Sequence, residues 1–98
     1  MLVQLDLNNT VFQRQWFALG KDEKLAVLNC CSQLSQMDWT TIYHDNGLNW
    51  EAILSRTDSA KGRLYYIRIT KKTRAVVRRS GNFIEFLTLH PDHDSAYI

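Results

Sequence analysis

No apolar run in this chain approaches the ~20 residues that a membrane-spanning helix needs. The first ten residues, MLVQLDLNNT, lack a basic stretch followed by an apolar core, so they do not read as a signal peptide. A cytoplasmic location is expected. Cysteine is scarce: Cys30 and Cys31 stand side by side. In a helix, adjacent side chains point about 100° apart. A disulfide between them would be strained, and a metal site would need more soft ligands. At least one is expected to be a small core hydrophobe in a reducing compartment. There is no repeat, low-complexity tract or linker.

What is present suits one soluble domain. The chain has 98 residues, 45% of them hydrophobic and 22% charged, enough to bury a core without metals or a disulfide framework. The net charge of +2 conceals an asymmetry. Residues 1–60 hold four basic and seven acidic residues, a balance of −3. Residues 61–98 hold eight basic and three acidic residues, a balance of +5. A basic half on a small domain suits nucleic acid or an acidic partner, and equally a solvated sheet face.

Periodicity divides the chain. LVQLDL alternates apolar and polar residues and predicts a short strand. In NNTVFQRQWFALG, Phe12, Trp16 and Leu19 recur at helical spacing. Asn9 or Thr10 can cap that helix, with Gln13 as a capping-box partner of Thr10, and Gly20 can end it. KDEKLAVLNCCSQLSQM predicts a second helix with acids in its first turn. Its stripe is Val27, Cys31, Leu34 and Met37, joined by Leu28 and Cys30. Trp16 and Trp39 are expected to anchor the core or the helical hairpin. Residues 38–63 are expected to be mostly irregular, although LNWEAIL can form a short strand or a helical turn. RLYYIRIT, RAVVRR and FIEFLTLH then predict three strands joined by short turns, an antiparallel meander. The predicted order is β-α-α-β-β-β: an α+β domain whose antiparallel sheet carries the helical hairpin on one face.

Strand alternation assigns faces. Tyr65, Ile67 and Ile69 should face the helices, with Tyr66, Arg68 and Thr70 opposite. Arg74, Val76 and Arg78 alternate with Ala75, Val77 and Arg79. In the last strand, Ile84, Phe86 and Thr88 alternate with Phe83, Glu85, Leu87 and Leu89. Register is not fixed by sequence. If Arg68 and Arg74 converge, they make a positive surface near the end of the last strand. The tail LTLHPDHDSAY places His90, Asp92, His93 and Asp94 within five residues, without the separated second ligand pair that zinc sites use. No metal site is expected there.

The stretches GLNWE (47–51), Tyr66-Ile67-Arg68-Ile69, Arg74 and His93-Asp94-Ser95-Ala96-Tyr97, in this order and spacing, resemble the RelE/ParE superfamily of bacterial toxins from type II toxin–antitoxin systems. The resemblance runs over nearly the whole chain. It implies a RelE-like fold, a cognate antitoxin as partner, and a metal-independent mRNA endoribonuclease, associated with the ribosome and using no cofactor. In such ribonucleases the 2′-hydroxyl attacks the adjacent phosphate. The reaction needs a base, cations for the charged transition state and an acid for the leaving oxygen. Carried over by position, Arg68 and Arg74 would hold the phosphate. His93 would transfer protons, with His90 as second candidate. Tyr97 would stack on a base or assist. Tyr66, Lys71, Lys72 and Arg78 are the expected RNA contacts. The chain carries Tyr66 and Thr70 where some relatives carry lysine or arginine. Members that inhibit DNA gyrase, or that only bind their antitoxin, share the fold and remain alternatives.

Overall fold

A computed structural model describes residues 1–58 and 62–91 of the chain. The elements run β1 (Gln4–Asp6), α1 (Thr10–Phe17), α2 (Lys21–Leu34), α3 (Trp39–His44), β2 (Glu51–Asp58), β3 (Gly62–Arg68), β4 (Arg74–Ser80) and β5 (Phe83–His90). The fold is α+β, as the sequence predicts. Two features differ from the predicted order. The sheet is mixed: β1 runs parallel to β5, at one edge of the order β1-β5-β4-β3-β2. Residues 38–63 are not mostly irregular, since they build α3 and the edge strand β2. No helix among the described residues is long and apolar enough to cross a membrane.

Local chemistry sets the element ends. Asn9, not Thr10, caps α1: its Oδ1 accepts from the Val11 and Phe12 amides at 2.8 and 3.2 Å. Gln13 is not a capping-box partner; its Nε2 donates to the Leu7 carbonyl (2.7 Å). Gly20 lies three residues beyond α1 and serves instead as the extended N-cap of α2. Asp38 caps α3 by accepting from Thr41 N (2.8 Å), and these hydrogen bonds hold its carboxyl below the ordinary range. Gly81 sits at φ +59° in the two-residue turn between β4 and β5, a conformation glycine adopts at little cost.

The helices cover one sheet face. Phe12, Val27, Cys30, Cys31, Leu34 and Ile42 pack on Ile67, Ala75, Val77, Ile84, Phe86 and Leu89. Tyr65 and Ile69 join this cluster, as alternation predicts. Burial pushes the Cys30 thiol up to about 12 and the Cys31 thiol to about 11. Trp16 ties α1 to α2 through an Nε1 bond to the Lys24 carbonyl (3.2 Å). Trp39 anchors α3 by donating to Asn82 Oδ1 (3.2 Å), under the Arg79 guanidinium 4.0 Å above its ring. Leu28 is not in the stripe; it is half exposed. The opposite sheet face has its own small cluster of Ile53, Leu64, Tyr66 and Val76, with Leu87 packed against it.

Candidate functional site

The register between β3, β4 and β5 decides which candidate residues meet. Arg68 pairs with Arg74, and Arg74 pairs with His90. Directly opposed residues on one face of an antiparallel pair have Cβ atoms about 5 Å apart. The three side chains therefore start in one row across the end of the sheet. Behind them lies the row Tyr66, Val76 and Thr88.

A β-bulge places His90 in that row. Between Val76 and Val77 the pairing of β4 with β5 shifts, leaving Leu87 as the extra residue. Strict alternation would put Thr88 and His90 on the helix face with Phe86. After the bulge, Leu89 packs with Ala75 in the helix-side core, while Thr88 and His90 oppose Val76 and Arg74. Bulges re-aim side chains in this way and are common beside functional sites. The Thr88 hydroxyl lies 2.9 Å from His90 Nε2, fixing the ring.

The two arginines have different surroundings. Arg68 is exposed and makes no side-chain hydrogen bond or ion pair with the described residues. Arg74 is only 5% exposed. Its Nη1 donates to the Thr70 carbonyl (2.7 Å), with longer contacts to the Lys71 and Thr73 carbonyls. It thereby closes the turn that follows β3. Thr70 Oγ1 braces the same turn from within, accepting from Lys72 N and Thr73 N. The Thr73 hydroxyl reaches Glu23 of α2. This turn carries exposed Lys71 and Lys72.

The remaining candidates are spread out. Arg78 is buried and ion-paired with Glu85 at 2.9 Å. Tyr66 is 5% exposed within the second apolar cluster. His93 and Tyr97 lie outside the described residues. The positive surface thus consists, among the described residues, of Arg68, Lys71 and Lys72, with Arg74 and His90 behind them.

Two further surfaces were not foreseen. On the helical hairpin, Trp16, Phe17, Leu25 and Leu28 line a groove of about 610 Å³, flanked by Lys21 and Lys24. Phe17 is 62% exposed, an unusual position for so large an apolar ring. Beside Arg68, Asn29 and Gln33 of α2 meet Asp45 and Gly47 around a polar cavity of about 280 Å³. The four-residue spacing of Asn29 and Gln33 was the only signal of this second surface in the sequence.

No protein-family model matches the chain, and no curated protein matches it. A solved structure is similar over nearly its full length: a copper-bound mutant toxin from Helicobacter pylori, at a TM-score of 0.55 and 12% identity. The match covers 96% of this chain and 98% of that one. At this identity the likeness is one of fold.

Proposed function

We propose that this protein is the toxin of a type II toxin–antitoxin pair, of the RelE/ParE kind, and cuts messenger RNA without a metal, on or near the ribosome. The observation that carries this reading is the row Arg68, Arg74 and His90, completed by the bulge at Leu87. The fold shared with a bacterial toxin supports it.

The substrate supplies its own nucleophile, the 2′-hydroxyl. His90 takes the proton of that hydroxyl or returns one to the leaving 5′-oxygen; an imidazole suits either task near neutral pH. Arg68 faces the phosphate as its charge grows. Arginine's planar fork can hold two of its oxygens at once. Arg74, held by the turn carbonyls, keeps Lys71 and Lys72 in place and adds positive potential beneath the site. His93 and Tyr97 follow His90 by three and seven residues and are the other proton-transfer and stacking candidates.

The antitoxin fits the groove on the helical hairpin. Four apolar side chains between two lysines suit an amphipathic segment with acids along its flank. The test of activity is chemical. Purified protein with programmed ribosomes should yield fragments ending in a 2′,3′-cyclic phosphate and a 5′-hydroxyl. Intact message would rule out the reaction.

A second, non-nucleolytic reading draws on Arg74 and Arg78. Both are buried and engaged, one by carbonyls and one by Glu85. A toxin that inhibits gyrase, or a relative that only binds its antitoxin, needs no free cations there. An SOS response with intact messages after induction would favour gyrase.

A further inference from the structure

The polar cavity beside Arg68 lies outside the reacting row. About 280 Å³ corresponds to roughly nine waters at liquid density. That is room for one flat ring system. Its walls are rich in hydrogen-bonding groups. Asn29 and Gln33 lie four residues apart on α2, hence on one face. Each offers a carbonyl and an NH₂ group, and neither side chain is bonded to a described residue.

The opposite wall is rigid. Asp45 Oδ1 accepts from Leu48 N (2.9 Å), and the Asp45 carbonyl accepts from Asn49 N (3.1 Å). Arg68 N donates to the Leu48 carbonyl (2.7 Å), fastening this loop to β3. Gly47 leaves the carboxylate room: a Cβ there would sit 3.1 Å from Asp45 Oδ1. The second oxygen of Asp45 has no partner among the described residues. An ionised carboxylate only accepts, so the ligand must bring hydrogen-bond donors, N–H or O–H. It should also be uncharged in this part, because an anion would meet Asp45.

We infer that this cavity holds a guanine base, that of a nucleotide flanking the one whose phosphate Arg68 contacts. The inference rests on the RNA-cutting reading above. Guanine presents two adjacent donors, N1–H and the N2 amino group, to a carboxylate. Its O6 and N7 acceptors can meet the carboxamide NH₂ groups of Asn29 and Gln33. Adenine, cytosine and uracil each offer a carboxylate fewer adjacent donors. The site thereby sets where in a message the cut falls, whereas the row Arg68, Arg74 and His90 sets whether it falls.

Asp45→Asn tests this. The variant keeps an oxygen for Leu48 N but replaces the second acceptor by a donor. In wild-type protein, mapped cuts should fall next to guanine. In Asp45→Asn, cuts beside guanine should drop about tenfold relative to other cuts, the discrimination of one good base contact. Cutting elsewhere should persist. An unchanged base distribution, or cuts with no base preference in wild type, overturns the inference while leaving RNA cleavage intact. If wild-type protein cuts no RNA, the enzymatic reading fails, and titration with guanosine monophosphate followed by NMR decides the pocket alone. Saturable shifts of the Asn29 and Gln33 side-chain amides, absent with uridine monophosphate and in Asp45→Asn, uphold it. No shifts overturn it.

Discussion

Arg68 and Arg74 face each other across one strand pair, yet their environments assign them different work. Arg68 is exposed and unbonded to the described residues, so Arg68→Ala should change stability by less than about 0.5 kcal/mol. It should still abolish RNA cleavage. Arg74 donates to turn carbonyls from a buried position. Arg74→Ala should cost about 2 kcal/mol, the scale for losing a charged donor to buried acceptors. Urea unfolding beside a cleavage assay separates the two; equal stability losses would refute the assignment. The cysteines provide a second residue-scale expectation. Burial raises both thiols from 9.0, to about 12 and 11. Neither should react with a thiol reagent in the native protein at pH 8, and both should react after denaturation. The linkage sign follows from the raised native values. The unfolded thiols ionise near pH 9, the native ones not until about 11–12, so stability is complete below pH 9 and falls as pH rises through that window.

At the scale of elements, caps and one bulge decide most of the geometry. Asn9→Ala removes the acceptor of two α1 amides and should cost about 1 kcal/mol, read as a lower thermal midpoint. The elements with strong periodicity, α1, α2 and β3 to β5, were legible in sequence because their apolar spacing is itself the packing requirement. β2 was obscured by the turn-rich residues at both its ends, and α3 is too short for a helical period to show. Its stability comes from packing: Trp39 and Tyr43 against Trp50, and Arg79 over Trp39. Arg68 and Arg74 could be named from the sequence, but their pairing could not, since register depends on long-range contacts. The face of His90 was least legible. One extra residue at Leu87 reverses every later side chain in β5, and nothing in FIEFLTLH marks it. The cavity of Asn29, Gln33 and Asp45 joins a helix to a loop twelve residues beyond Gln33, and apart from the spacing of Asn29 and Gln33 no local pattern announces it.

For the molecule as a whole, charge and shape act together. The basic half of the sequence is not a uniformly basic surface, because Glu85 neutralises Arg78 and the turn carbonyls hold Arg74. Three exposed cations, Arg68, Lys71 and Lys72, remain at the site among the described residues. Three phosphate contacts on a single strand predict a slope of log affinity against log salt of about −2. Arg68→Ala should reduce it to roughly −1.4. Fluorescence titrations at several salt concentrations give both values, and a wild-type slope of about −3.5 would mean that the buried Arg74 and Arg78 also contact RNA. The row Arg68, Arg74 and His90 is proposed to cut messages. Primer extension on cellular messages after brief induction tests it most directly, comparing wild type with an Arg68→Ala/His90→Ala variant expressed to equal level. New 5′ ends inside messages are expected with wild type and none with the variant. Growth arrest without new ends, or the same ends from the variant, would contradict the proposal.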